Sequence, residues 1–444
     1  MAQINLKRNI LVSGSFRIVN MVIILLTSLL STRYLGVELK GKYSYLVTLA
    51  GFIWIVFDMG IHKTYPYLLR TEPKSQNQLV TLTYTLFFAL FFSLGVVGMM
   101  VLPWLSELMS FPMSIFSWWI FVILIAFYQL NAHLQMLYLG KDLVKANSIL
   151  QMVYQILLLL FIGFAFIFLR ELNRLFVVLL SIITASLFIT VAYSRSLLGS
   201  FNLRCLNPTF LWKSYKMGIR VFLSTLFITL LLQVDIVILK RLTDFSSVGI
   251  YSLAAHIVDM VQLASNLVGS LLLVKLADTK DEVVRWILMK RIFMLFFVII
   301  GVFNIGFILL GKPLIRIVYG MDFLASYHAY LWLIPASFGL SFGSLFNTYL
   351  WSKGFPLVST IVPLIALIIN IGLNFILIPV MGIAGAALSS SITYILWFII
   401  ILMYEQHLSQ GRMIKYLIPQ MEDVSTLWEM GKTPVLNLIR KLRQ

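Results

Sequence analysis

The chain has 444 residues, 60% hydrophobic and only 11% charged, with a mean hydropathy of +0.96; a soluble domain carries roughly 25% charged residues, so a water-soluble globule is excluded. Its 34 Lys and Arg against 17 Asp and Glu give a formal charge of +17, which in so apolar a chain marks the cytoplasmic ends of membrane spans and not a nucleic-acid partner. The single Cys205 excludes an intramolecular disulfide and a cysteine-based metal site.

A crossing needs about 20 apolar residues. In chain order the apolar runs predict twelve spans, over 10–32, 43–66, 78–103, 114–139, 145–169, 174–194, 217–239, 248–274, 287–310, 327–351, 357–379 and 381–404. The first run follows Lys7 and Arg8 without a small-residue cleavage site and is therefore a retained span. With the N-terminus inside, and basic residues within about a turn of a span end counted with the adjoining loop, the inner segments collect 24 Lys and Arg and the outer loops nine, leaving Arg17 alone in the interior of a span. Both termini are expected to be cytoplasmic.

The fold expected is an all-α polytopic membrane protein with twelve transmembrane helices in two pseudo-symmetric six-helix lobes. The lobes are residues 1–194 and 217–404, joined by a cytoplasmic linker at 195–216 and followed by a cytoplasmic amphipathic tail at 405–444. The lobes carry traces of a repeat. Arg33, Gly41, Tyr43 and Ser44 recur as Arg241, Gly249, Tyr251 and Ser252, and Tyr138-Leu139 returns as Tyr349-Leu350. Because each half has six spans, the repeat is parallel, with an axis along the membrane normal. After Pro313, the mixed stretch Leu314 to Phe323 reads as an outer interfacial helix and turn. In the tail, Val435, Leu438, Ile439 and Leu442 beside Arg440, Lys441 and Arg443 describe a cationic amphipathic helix on the inner leaflet.

No enzyme is expected. His62, His133, His256, His328 and His407 lack metalloprotease spacing, and neither a nucleophile elbow nor a phosphate-binding loop occurs, so no cofactor is expected either. What stands out is a set of ionisable groups at membrane depth, where a charge costs about 2.5–3.5 kcal/mol and needs a partner or water. Arg17 lies seven residues into the first span, and Asp58 lies on the second with His62 and Lys63 one turn below, so Arg17 and Asp58 can meet in the inner half of the first lobe. Asp235 on the seventh span and His256 and Asp259 on the eighth occupy the outer half, as an ion- or proton-coupling set. Asp259, Gln262 and Asn266 share one helical face, with His256 at its edge. Gln151 and Gln155 share a face with Asn147, and His133 pairs with Gln129; these line a cavity or bond neighbouring helices. Asn370 and Asn374 read as packing residues, and Trp54, Trp118, Trp119 and Trp397 as belt or core.

Ordered motifs along nearly the whole chain then carry a resemblance. They are the Asn9-to-Arg17 run, Arg33-Tyr34-Leu35-Gly36 with Gly41 and Tyr43, Asp58-Met59-Gly60, Asp235 before Gly249-Ile250-Tyr251-Ser252, Pro313 to Gly320, and Gly382-Ile383-Ala384-Gly385-Ala386-Ala387. The chain resembles the polysaccharide transporters of the multidrug/oligosaccharidyl-lipid/polysaccharide exporter superfamily, including Wzx-type O-antigen flippases. The resemblance implies two lobes around a cavity lined by the first, second, seventh and eighth spans. It also implies a bacterial inner-membrane protein that flips a polyprenyl-pyrophosphate-linked oligosaccharide for O-antigen, lipopolysaccharide or capsule-like synthesis. Its implied partners are that glycan lipid, membrane lipids, and the polysaccharide polymerase and chain-length machinery. Arg17, with Lys63 second, is then the pyrophosphate partner, and Asp58, His133, Gln151 and Gln155 complete the substrate set. A cation-coupled multidrug exporter of the same superfamily is the alternative.

Overall fold

Backbone polar groups inside hydrocarbon must be satisfied within their own segment, which favours helices throughout. The computed structural model describes residues 2–72, 75–109, 111–169, 172–205, 207–279, 281–353 and 357–417, and among these there are helices and no strand. Ten helices among the described residues are long and apolar enough to cross a membrane. The amphipathic segment expected at 435–442 lies outside the described residues.

The first helix, α1 (Ala2–Asp58), has one non-helical residue, Gly36 (φ 74°, ψ 177°), between the first two expected spans. The polar connection expected there is otherwise helical. Its polar side chains find partners without a loop, Lys42 on Glu38 at 2.6 Å and the Tyr34 hydroxyl donating to the Leu169 carbonyl at 2.7 Å. The second arm stops at Asp58, short of residue 66, because Met59 and Gly60 both take positive φ, 47° and 73°. A 3-10 turn (Ile61–Thr64) and the short α2 (Tyr65–Thr71) follow. Helix α3 (Gln76–Phe92) runs into a π turn at Ser93–Val97, where Gly95 lies against the Trp119 ring, then α4 (Gly98–Met100) and α5 (Leu102–Leu108). Helices α6 (Ile115–Gly140), α7 (Val144–Phe168) and α8 (Arg174–Ser194) complete the first expected half.

The expected linker at 195–216 is half helical. Asn207 caps α9 (Pro208–Leu242) by accepting from the Thr209 amide at 3.0 Å, and Pro208 takes the first helical position, so Asn-Pro starts a helix where the sequence reading saw a break. Helices α10 (Phe245–Asp278) and α11 (Glu282–Val318) follow. Pro313 lies inside α11, and the separate interfacial helix expected after it is the continuation of this span to Val318; the turn comes at Gly320 (φ 105°). A proline ends a helix less readily in a membrane, where neighbouring groups satisfy the freed carbonyl. The chain finishes with α12 (Ala325–Ser352), α13 (Val358–Met381), α14 (Ile383–Leu408) and α15 (Arg412–Leu417).

Contacts divide the chain into two units, Met1–Ser252 with Val318–Asp322, and Leu253–Ile317 with Phe323–Gln444. In the first unit, one apolar cluster gathers Leu35, Trp118, Phe121, Leu124 and Ile125, and a second gathers Ile61, Tyr65, Leu68, Leu134, Leu137 and Tyr193. The repeat glycines meet here. A Cβ at Gly41 would overlap the Phe245 carbonyl, and one at Gly249 would overlap the Val37 carbonyl, each carbonyl four residues before the opposite glycine. This reciprocity is what a local two-fold relation between the two motif-bearing segments produces. In the second unit, Gly339 admits the backbone of Tyr394 and Ile395, so α12 and α14 pack backbone to backbone. Asn370 and Asn374 are buried there and bonded locally, Asn370 donating to Thr393 and Ser389, the packing role expected of them.

Candidate functional site

The Asp58-Met59-Gly60 motif builds the most unusual side-chain cluster of the first unit. Gly60 takes left-handed φ, and its missing side chain lets the Gly218 carbonyl of α9 approach to 2.6 Å from where a Cβ would stand. Only glycine meets both demands at little cost. The resulting tight turn places His62 directly against Asp58, which closes α1 at the negative end of its dipole. His62 Nδ1 lies 2.5 Å from Asp58 Oδ2, and His133 Nε2 of α6 lies 2.6 Å from Oδ1. All three residues are buried, at 7%, 1% and 0% exposed for His62, Asp58 and His133.

The network continues inward. The Tyr65 hydroxyl lies 2.8 Å from His133 Nδ1, and Thr83 Oγ1 donates to the Tyr65 oxygen at 3.2 Å. With the Tyr65 O–H donating to Nδ1, His133 carries its proton on Nε2 and donates it to Asp58. A carboxylate serving two imidazole N–H groups through separate oxygens is thus accounted for. Asp58, His62 and His133 are also the residue types that hold a divalent metal, with ligand atoms within 4.8 Å of one another. Ligands at about 2.0–2.1 Å around a tetrahedral ion stand roughly 3.3 Å apart. The separations of 2.5 and 2.6 Å describe a hydrogen-bonded triad.

Trp54 links this triad to a cavity. Its ring packs on His62 with centroids 5.3 Å apart, and it lines a cavity of about 310 Å³ within the first unit. The other walls are Tyr128, Asn131, Ala132 and Gln135 of α6, Gln151 and Tyr154 of α7, and Ser186, Ile189 and Tyr193 of α8. None of these carries a formal charge. The amides are oriented by neighbours: Gln151 donates to Gln135 at 3.2 Å, and Asn131 accepts from Thr190 at 3.1 Å.

The sequence-derived residues separate into groups. Asp58 and His133 join in the triad, and Gln151 lines the cavity, whereas Gln155 is half-buried and outside that lining. Lys63 is exposed, its ammonium donating to Thr225 Oγ1 at 2.7 Å. The Arg17 side chain, and so its expected meeting with Asp58, lies outside the described residues. Asp235 is fully buried in the first unit and accepts from the Tyr251 hydroxyl at 2.7 Å. In the second unit His256 is half-buried, Asp259 is exposed, and Gln262 donates to Ser344 of α12 at 3.2 Å; the Asn266 side chain is outside the described residues. Sequence reading placed Trp54 in the belt or core and missed its double contact. It named His62 and His133 without joining them, although the i, i+4 spacing of Asp58 and His62 signalled the first half of the triad.

A multi-pass chain, helical among the described residues, with buried ionisable groups and a cavity lined by aromatic and amide side chains has the construction of a membrane transporter. The solved structures agree on the fold. The chain is similar to the lipid II flippase MurJ in its inward closed conformation (TM-score 0.69, 14% identity, 89% of this chain and 87% of that one). It is likewise similar to an inward-facing MATE-family multidrug resistance transporter of the MOP superfamily (TM-score 0.68, 12% identity, 92% and 98%). A MOP-superfamily transporter from Pyrococcus furiosus, described by the reversed polarity of its binding pocket, gives a TM-score of 0.63 at 15% identity over 93% and 97%. No curated protein sequence matches. Residues 6–274 match the family described as "Polysaccharide biosynthesis protein", and the chain belongs to that family.

Proposed function

We propose that this protein is a flippase that moves a polyprenyl-pyrophosphate-linked oligosaccharide across the bacterial inner membrane by alternating access, supplying a surface polysaccharide of the O-antigen or capsule type. The observation that carries this reading is the chemistry of the cavity beside Trp54. Aromatic faces from Trp54, Tyr128 and Tyr154 beside the amides of Asn131, Gln135 and Gln151 suit a neutral sugar, which stacks its C–H face and bonds its hydroxyls. A cationic drug would call for a carboxylate in the wall. The polyprenyl chain stays in the bilayer while the pyrophosphate, which hydrocarbon excludes, is met by Arg17 and Lys63.

In this reading both arms of α1, α10 and the other nine candidate spans make twelve crossings in two six-helix lobes, with both termini cytoplasmic by the charge bias. Asp235, His256 and Asp259 serve ion coupling in the second half. Deleting the gene is expected to abolish the surface glycan and accumulate its lipid-linked unit on the inner leaflet. Trp54→Ala or Gln151→Ala should rescue that defect at least about tenfold less well than wild type, the loss of one good stacking or hydrogen-bonding contact. A deletion strain with normal surface glycan but lost resistance to cationic drugs would replace this reading with the multidrug exporter.

A further inference from the structure

The Asp58 cluster does more than satisfy a buried carboxylate. We propose that Asp58, His62 and His133 form a binding site for a single exchangeable proton, and that Trp54 transmits its occupancy to the wall of the cavity. The inference rests on the transport reading only for its purpose; the site itself stands on geometry.

The bonding pattern fixes the count. With both imidazoles neutral, His62 Nδ1–H and His133 Nε2–H each serve one oxygen of an ionised Asp58, and the triad carries one negative charge. His133 has no nitrogen left, because Nδ1 is held by Tyr65. His62 has only Nδ1 committed to Asp58, so an incoming proton takes His62 Nε2. Hydronium delivers it, its O–H bond breaking to leave water as the Nε2–H bond forms, and the triad becomes a neutral imidazolium–carboxylate pair. Two features favour that form. Asp58 ends α1, where the helix dipole attracts a cation, and a buried neutral pair avoids the several kcal/mol that an uncompensated carboxylate costs.

The surrounding groups complete the charge inventory. Lys63, on the same turn as His62, directs its ammonium to Thr225. Among the described residues, Tyr65 of α2 and Tyr215 of α9 are the remaining titratable groups with an electrostatic contact to Asp58. Thr83 of α3 is uncharged and closes the inner end. His62 is thus the group in this cluster that can take the proton, and it presses on Trp54 at 5.3 Å. Protonation turns a neutral ring contact into a cation–aromatic one, and the same Trp54 side chain is part of the cavity wall.

The test is a pH titration of intrinsic fluorescence on the full-length purified protein in lipid nanodiscs with no glycan lipid present, because an imidazolium quenches a neighbouring indole. The Trp54 signal is the difference between wild type and Trp54→Phe. The expected result is one transition with a one-proton slope, absent in His62→Gln and moved at least one pH unit lower in Asp58→Asn. A variant that does not fold by its melting curve leaves the other to carry the result. A Trp54 signal that does not titrate, or that titrates unchanged without Asp58 or His62, overturns the proposal. So does a stoichiometric divalent metal in the purified protein whose chelation creates the transition, since the triad would then be a metal site. Because no glycan is present, loss of flipping alone defeats the functional reading and leaves this site standing.

Discussion

Asp58 in the first unit and Glu405 in the second are both carboxylates with 1% of their surface exposed, yet they are neutralised by opposite means. Asp58 is held by two imidazoles, of which His62 keeps one nitrogen open to an added proton. Glu405 accepts from Lys353 at 2.9 Å, in a cluster that also brings Glu282 to 3.5 Å from Lys353 and the Tyr349 hydroxyl to 3.2 Å from Glu282. Burial works against the charge on Lys353, but its bonds to Glu405 and Tyr349 outweigh that and hold its pKa above the ordinary lysine value. Stability drawn from that raised value is complete below the unfolded value of 10.5 and is lost only as pH rises through the folded one. The Lys353 cluster is therefore constant at any pH a cell presents, whereas the Asp58 triad is poised to change. A buried carboxylate is a device or a fastener according to the partner that meets it.

Exchanging the two roles in experiment tests that distinction most severely. Asp58→Asn removes the charge and one of the two oxygens that accept from the imidazoles, a loss of about 3 kcal/mol, and should lower transport by more than about 100-fold. Glu405→Gln should cost about 1.5–3 kcal/mol of stability, read as a lower melting temperature, while the pH profile of transport keeps its midpoint. A pH profile abolished by Glu405→Gln and untouched by Asp58→Asn would invert the comparison.

A gentler change alters the triad without touching a titrating atom. Gly60→Ala forces a Cβ into left-handed backbone and toward the Gly218 carbonyl at 2.6 Å, at a cost of about 1–3 kcal/mol. Because Gly60 aims His62 at Asp58, the substitution should also displace the midpoint of transport against pH. A melting loss of this size with an unmoved midpoint would make Gly60 a packing residue only.

The two sites differed in how far the sequence revealed them. Asp58 was legible because a carboxylate in an apolar run is costly wherever it points, and the Gly41 and Gly249 motifs were legible because their spacing repeats. The partner of Asp58 was not. The structure brings His133 from α6, and which face a helix turns toward a neighbour is decided by packing over many residues; the Arg17 side chain, suggested by depth along the helices, lies outside the described residues. Spans were read well in their apolar middles and poorly at polar ends. Asn207-Pro208 looked like a break but is a cap followed by a first helical turn, and Pro313 looked like a stop but lies within α11. The cavity wall was visible only in part, since Gln151 declared itself by polarity while Trp54 and Tyr154 looked like any buried aromatic.

A third carboxylate gives the lower end of the scale. Asp244 is exposed at the start of α10, where its Oδ1 accepts from the Ser247 amide at 2.7 Å. That bond holds its pKa below the ordinary aspartate value, with Lys240 assisting and slight burial opposing. A lowered folded value means that the cap contributes fully above the unfolded value of 3.8 and fades as pH falls through the folded one. Solvent screens so exposed a group, so Asp244→Ala should cost only about 0.5–1 kcal/mol at neutral pH. The wild-type and variant melting curves should converge once pH falls below the lowered folded value, where the cap is protonated in both folded and unfolded chains. Transport should keep the pH midpoint of the wild type, because a helix cap that water already bathes has no buried charge to exchange. A displaced midpoint in Asp244→Ala would mean that pH sensing is spread over surface carboxylates, and the contrast between Asp58 and Glu405 would lose its meaning.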